Sequence, residues 1–430
     1  MTEMYEERYG GYGTTPAPNL NNSNNNLSGV AKIKVIGVGG AGNNAVDRLI
    51  ESGLKCAEYI VVNTDNQALA RSKAPTKIQI GVNLTKGLGA GADPIVGKAA
   101  AEENKDQIQR VLKDTDLLFI TAGMGGGTGT GAAPVIAKLA KEMKILTVAV
   151  VTLPFNFEAK VRMNNALAGI EELGKNVDAI VTVPNDKIQK VVEKNTSFEE
   201  ALRVADEVLR QGIRGIAELV SKSSLINLDF ADLKTVLKGK GLAHMGIGAA
   251  KGETRIPDAV RCAVCSPLLN TTIKGANSVI LNVIGSKNLT LDEVSQAAKL
   301  VRSVISYSAN LIFGMCIDEN MSDEVEVVII ATGFDDLQNN SLGVDSRTTM
   351  QDASALFNRI DQVYSEEMQN AAMETPTYNS YSQPTQGANR PTYTGFEPNG
   401  PMPTAKTEED QPRKHRSWLD RLIHKNSDDK

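Results

Sequence analysis

Ala122-Gly123-Met124-Gly125-Gly126-Gly127-Thr128-Gly129-Thr130-Gly131 is the stretch that decides the fold of this chain. Six glycines and two threonines in ten residues exceed what an ordinary turn needs. Leu117-Leu118-Phe119-Ile120 before it reads as a buried strand. Ala132 to Met143 after it reads as a helix, with Pro134 tolerated in the first turn. A glycine loop between strand and helix offers backbone N–H groups, and the helix N-terminus adds partial positive charge. The combination predicts a phosphate cradle, with Thr128 and Thr130 supplying further hydroxyl donors.

A second cluster, Gly37-Val38-Gly39-Gly40-Ala41-Gly42-Asn43-Asn44, follows the strand Ile33–Val38 and matches GxGxxG. Alone it fits a nicotinamide oxidoreductase, with Asp65 as the acid at the end of the second strand. Such an enzyme has no use for a second, richer cradle, whereas a triphosphate does. GxxxxGK[ST] does not occur in the sequence, which excludes a P-loop NTPase. Gly87-Leu88-Gly89-Ala90-Gly91-Ala92-Asp93 precedes another helix. It reads either as a flap over the terminal phosphate or as a mobile turn.

Working outward, strands and helices alternate from Ala31. Tyr59–Val62, Ile78–Ile80, Leu146–Thr152 and Ala179–Val183 read as strands. One helix is predicted over Asp93–Leu112, and a long one over Phe198–Ser221. This rhythm predicts an α/β fold with a parallel, doubly wound sheet. A second unit from Leu225 alternates helices (Asp229–Leu237, Pro257–Cys265, Leu291–Ile305) with strands (Val279–Ile284, Leu311–Ile317, Val325–Ala331). Its last two strands, joined by a short polar segment, suggest a mixed sheet with antiparallel pairs. Residues 1–30 are polar and asparagine-rich and are expected to be disordered. Residues 335–410, rich in Asn, Ser, Thr, Gln and Pro, are expected to form a flexible linker. The domain boundaries that follow are 31–222, 223–334 and a tail at 411–430.

The 430-residue chain is 41% hydrophobic, enough for two domains with real cores. A net charge of −5 argues against nucleic-acid binding by the body of the protein. No apolar run approaches the roughly 20 residues that span a bilayer, and the N-terminal stretch has no signal-peptide core. A cytoplasmic location without direct membrane insertion is expected. Cys262-Ala-Val-Cys265 has CxxC spacing but no second ligand pair to complete a zinc site, so helix packing is the better reading. His244, His415 and His424 form no metal or catalytic constellation.

Asn227-Leu228-Asp229-Phe230-Ala231-Asp232 opens the second unit. Asp229 and Asp232, three residues apart, share one face of a helix start. They serve either as cap and dipole compensation or as a pair that polarises an attacking water. Their distance in sequence from the glycine loops makes a single-chain active site awkward.

Together these residues resemble the FtsZ family, the tubulin-like GTPases of bacterial cell division, over about residues 31–334. Gly123–Gly131 is similar to the signature GGGTGTG of the tubulin superfamily, and Gly37–Asn44 to the family's first phosphate loop. The resemblance implies a nucleotide-binding domain joined by a long central helix to a smaller domain with a mixed sheet. It implies GTP or GDP, with Mg2+, held by Gly40, Ala41, Gly42, Asn43, Asn44, Gly126, Gly127, Thr128 and Gly129. Glu158 and Arg162, in the segment from Pro154, would hold the ribose and phosphate region, and Asn185 and Asp206 the guanine side. Asn227, Asp229 and Asp232 match the loop that completes the neighbouring subunit's site. Hydrolysis would then require head-to-tail homopolymers, which build the ring at mid-cell. Related tubulin-like filaments that segregate plasmids or shape cells remain the alternative. Two departures stand out: Ser224 where the family has glycine, and Leu202 where it often stacks a phenylalanine on guanine. The segment Arg416 to Lys425 is similar in position to the family's tail peptide. It reads as an amphipathic helix with Trp418, Leu419, Leu422 and Ile423 on one side, or as an unstructured basic tail. The resemblance implies FtsA- or SepF-like adaptors and membrane tethers as its partners.

Overall fold

The computed structural model describes residues 31–188, 192, 195–221, 229–265, 273–319, 321–334 and 355–366. The strands are β1 (Ile33–Val38), β2 (Glu58–Asn63), β3 (Thr76–Gln79), β4 (Leu117–Gly123), β5 (Leu146–Leu153), β6 (Ala179–Pro184), β7 (Gly241–Lys251), β8 (Ser278–Gly285), β9 (Asn310–Ile317) and β10 (Glu324–Thr332). The first seven helices are α1 (Gly39–Glu51), α2 (Asn66–Arg71), α3 (Val82–Thr85), α4 (Pro94–Glu103), α5 (Lys105–Leu112), α6 (Thr128–Glu142) and α7 (Lys160–Gly174). After them come α8 (Asn185–Ile188), α9 (Phe198–Ser221), α10 (Phe230–Leu237), α11 (Arg255–Val264), α12 (Leu291–Val304) and α13 (355–366).

The strands form one sheet in the order β3-β2-β1-β4-β5-β6-β7-β10-β8-β9. Strands β3 to β6 are parallel throughout, and β7 continues them for only two residue pairs, Ala179 with Gly241 and Ile180 with Leu242. Past that pinch the sheet is mixed. β10 runs antiparallel to both β7 and β8, and β9 lies parallel to β8.

Alternate residues of each strand feed opposite cores, as the pleat dictates. Val35 and Phe119 face a core shared with α1, α9 and α10, while Ile36, Val38, Leu118 and Ile120 face one covered by α4 to α7. The first of these cores continues across the pinch through Val328, Ile330 and Ile280, so α9 is packed by both halves of the sheet. The other face of β8 and β10 packs on α11, α12 and α13.

Several expectations are corrected. The helix predicted over Asp93–Leu112 is two, because Asn104 leaves helical geometry (φ −111°, ψ 24°) and its side chain accepts a hydrogen bond from the Gly81 N–H at 2.9 Å. Helix α6 starts at Thr128 rather than Ala132, so the last four residues of the glycine run, Thr128 to Gly131, are helical. The mixed sheet with antiparallel pairs expected of the second unit is present, with β10 inserted between β7 and β8 and antiparallel to both. β7 and α7 carried no expectation. β7 is glycine-rich because α11 lies directly on it: a side chain at Gly246 or Gly248 would strike the carbonyl oxygens of Ala263 and Ala259. The linker reading of 335–410 fails for 355–366, where Ile360 is fully buried. The tail peptide 411–430 lies outside the described residues.

Candidate nucleotide site

Strand order reverses between β1 and β4, which are neighbours. Loops leaving the carboxyl ends of two such strands flank a crevice, the usual binding position of an open parallel sheet. These are the two glycine loops. Neither α1 nor α6 carries a side-chain cap, whereas Asp65, Asp93 and Thr290 cap α2, α4 and α12. The first N–H groups of α1 and α6 therefore remain available to an anion at the crevice.

Most of the glycines are accounted for by close packing. Side chains at Gly37 and Gly42 would strike the carbonyls of Gly42 and Thr121. One at Gly129 would lie 2.7 Å from the Gly123 oxygen, and one at Gly127 2.8 Å from the Ala90 Cβ. Gly125 has φ +97°, with the Arg162 backbone oxygen 2.7 Å from its missing Cβ. Gly40 and Gly126 differ. A Cβ at either would meet nothing within 4 Å, and neither has positive φ. Protein packing and backbone conformation both leave these two glycines unexplained, whereas close approach of a ligand explains them. A phosphate cradle fits the residues present.

The sequence missed what joins the loops, the end of β2. Asn43 is buried, and its amide donates to the carbonyls of Gly37 (3.0 Å) and Gly39 (2.9 Å) while accepting from the Asn63 Nδ2 (3.1 Å). The next residue, Thr64, shares a 2.7 Å hydroxyl contact with Thr128 in the second loop. Asp65 bridges to Leu88 in the third loop and caps α2 through the N–H groups of Gln67 and Ala68. Asn63, Thr64 and Asp65 thus each hold one glycine loop. Asn43 and Thr128 face inward as braces, and the Thr130 hydroxyl accepts from the Gly125 N–H at 2.8 Å. The outward surface is left to backbone groups, Ala41 and Asn44, the last two exposed. Asp65, employed as a helix cap, is a poor ribose acceptor for the nicotinamide reading.

Glu158 lies in the short 3-10 helix Asn156–Glu158 after β5. It accepts from the Phe155 N–H at 3.0 Å and pairs with Arg162 at 3.1 Å. Gly125 packs on the Arg162 backbone, which places this pair beside the signature loop. Asn185 follows β6; it is buried, and its Oδ1 has no hydrogen-bond partner among the described residues. An orphaned buried acceptor at the end of a strand suits a ligand donor. Asp206 on α9 pairs with Arg48 on α1 at 3.1 Å, and burial pushes its carboxyl up to about 6 against the pull of that guanidinium.

The carboxylate loop is elsewhere. Asn227 lies outside the described residues. Asp229 caps α10 through the Ala231 N–H, and both Asp229 and Asp232 are exposed. Helix α10 leads into β7, whose first N–H, like that of Lys240, bonds the Asp178 carbonyl just before β6 begins. That is the amino end of the parallel strands, opposite the glycine loops and roughly 20 Å from them for strands of this length. The eight residues of α10 span only about 12 Å. That is shorter than the depth of the parallel strands.

A doubly wound sheet with two converging glycine cradles and a long helix packed by both halves defines a tubulin-like nucleotide-binding protein. Comparison with known proteins agrees. Residues 32–193 match the GTPase domain of the Tubulin/FtsZ family, and residues 241–335 match the FtsZ family C-terminal domain. An empty FtsZ dimer from M. jannaschii is 46% identical, with TM-score 0.68, over 71% of this chain and 89% of that one. CetZ2 from Haloferax volcanii, solved as a GTPgS-bound protofilament, is 20% identical with TM-score 0.61 over 77% of this chain and 99% of its own. CetZ1 from the same organism, solved as a GDP-bound monomer, is 21% identical with TM-score 0.62 over the same shares. At that identity the CetZ likeness shows the fold alone. The chain belongs to the FtsZ family, and GTP binding and hydrolysis are traits of the domain it carries.

Proposed function

We propose that this protein binds GTP in the crevice at the β1/β4 switch point and hydrolyses it only within head-to-tail homopolymers that build the division ring. Gly40, Ala41, Gly42, Asn44, Gly126, Gly127 and Gly129 present backbone and small polar groups to the phosphates. Glu158 and Arg162 flank the ribose and phosphate region, and Asn185 and Asp206 read the guanine. Asn227, Asp229 and Asp232 of the next subunit polarise the attacking water. Among the described residues no three His, Cys, Asp or Glu converge as a metal cage. Mg2+ would therefore sit chiefly on phosphate oxygens and water, as it commonly does on nucleotides.

The observation that supports this reading is that α10, opened by Asp229 and Asp232, runs into β7 at the amino ends of the parallel strands, opposite the glycine loops. A carboxylate pair there and a nucleotide crevice at the other end are complementary only between copies. Such a heterologous contact does not close on itself and generates open filaments. The domains act as 31–222 for nucleotide binding and 223–334 for activation of the neighbour, with 411–430 as the segment that engages FtsA- or SepF-like adaptors. No helix among the described residues is long and apolar enough to cross a membrane. The protein would work in the cytoplasm at mid-cell, held to the membrane by those adaptors.

The test is phosphate release per molecule against protein concentration, with sedimentation in parallel. Specific activity should rise above a threshold where pelleting begins. Constant activity per molecule in a demonstrably monomeric sample would overturn the shared site. A fluorescent fusion that marks filaments along the cell rather than mid-cell bands would favour the cell-shape alternative.

A further inference from the structure

Helix α13 is separated from β10 by residues 333–354, yet it packs on the core of the C-terminal half. Leu356 and Ile360 are buried there, and Val363 and Tyr364 pack beside them. These positions follow i, i+4, i+7, i+8, a single apolar stripe. A helix of twelve residues is marginal alone in water, so its docking is what holds it folded. Arg261 on α11 serves as the clasp. Asp258 on its own helix fixes the guanidinium at 2.9 Å, Asp361 of α13 pairs with it, and the Phe357 ring of α13 lies 5.0 Å beneath it.

We infer that the outer face of α11 is a helix-docking surface whose occupant is α13 of the same chain, and that this docking sets the tether between body and tail. A flexible polar chain as long as 335–410 would have an r.m.s. reach of roughly 48 Å, and one as long as 367–410, the span between the docked helix and the tail, roughly 36 Å. The clasp also fixes the departure point of the tail on the α11 face. Its role in presenting the tail to an adaptor rests on the function proposed above, but the docking itself does not.

Hydrogen exchange and trypsin cleavage after Arg359 on the full-length chain test it, with small-angle scattering of the GDP-bound monomer. Wild type should protect 355–366. Ile360→Asp should raise exchange there at least about tenfold and lengthen the particle, with GTP-driven sedimentation unchanged. Arg261→Glu and Asp361→Arg should each loosen the helix, and the two combined should restore protection. Rapid exchange in wild type, or no recovery in the charge-swapped pair, would overturn the clasp. Protection that disappears on dilution would place α13 on a neighbouring copy and overturn docking within one chain. Particle dimensions unmoved by Ile360→Asp would overturn the effect on the tether.

Discussion

Two neighbouring glycines separate folding from binding in the signature loop. Gly127 is hemmed in by Ala90 and the Asp93 N–H, so Gly127→Ala should lower stability by about 1–3 kcal/mol through overpacking. Gly126 faces open space, so Gly126→Ala should melt as wild type does yet bind GTP about tenfold more weakly, the cost of obstructed phosphate hydrogen bonds. Calorimetry and nucleotide titration on both variants check this. Equal affinity in Gly126→Ala would mean that the nucleotide does not approach that backbone. Asp206 adds a pH signature. Its folded carboxyl titrates at about 6 because of burial, above the ordinary 3.8, so the folded state holds this proton more tightly. The resulting stability is full below about pH 4 and is lost as pH rises through about 6. The guanine recognition proposed for Asp206 needs the carboxylate and would run the other way: GTP affinity should fall toward tenfold per pH unit below 6. Titrations between pH 5 and 8 should show that slope, and Asp206→Asn should flatten it.

At the scale of elements, the parallel half was legible because its strands are unbroken apolar runs between glycine loops. Ile33–Val38 and Phe198–Ser221 fall where the sequence puts them. β7 was not legible, because Gly246 and Gly248 remove the β-branched pattern to let α11 approach. α13 escaped notice because its stripe of four apolar positions is too short to stand out in a polar stretch. The cradles were readable as motifs, but the β2 end was not: Asn63, Thr64 and Asp65 act through contacts with loops distant in sequence. Two changes test these elements. Gly248→Ala would drive a methyl into the Ala259 carbonyl, so β7 and α11 must separate, and stability should drop by up to about 3 kcal/mol. Thr64→Val keeps shape but removes the hydroxyl that holds Thr128. GTP affinity should weaken by about threefold to tenfold, and Thr64→Ser should restore it. Equal affinities for Val and Ser would show that the contact does not position the second loop.

For the whole molecule, the function proposed above requires one chain to carry two half-sites at opposite ends of the parallel strands. Arg162→Ala damages the nucleotide end and leaves the carboxylate loop intact, while Asp229→Ala does the reverse. Each alone should hydrolyse GTP poorly, because every interface in its polymer then lacks one partner. In an equal mixture, random order pairs an intact nucleotide end with an intact loop at about one interface in four, as expected for a polar head-to-tail contact. Phosphate release should therefore recover toward about a quarter of the wild-type rate when polymer mass is matched. A chain bearing both changes should rescue neither single variant, since it offers no intact end. Recovery in that control would point to repair of the nucleotide end without a neighbour's loop. No recovery in the mixture, with both chains shown to co-sediment, would place the catalytic carboxylates within the chain that binds the nucleotide.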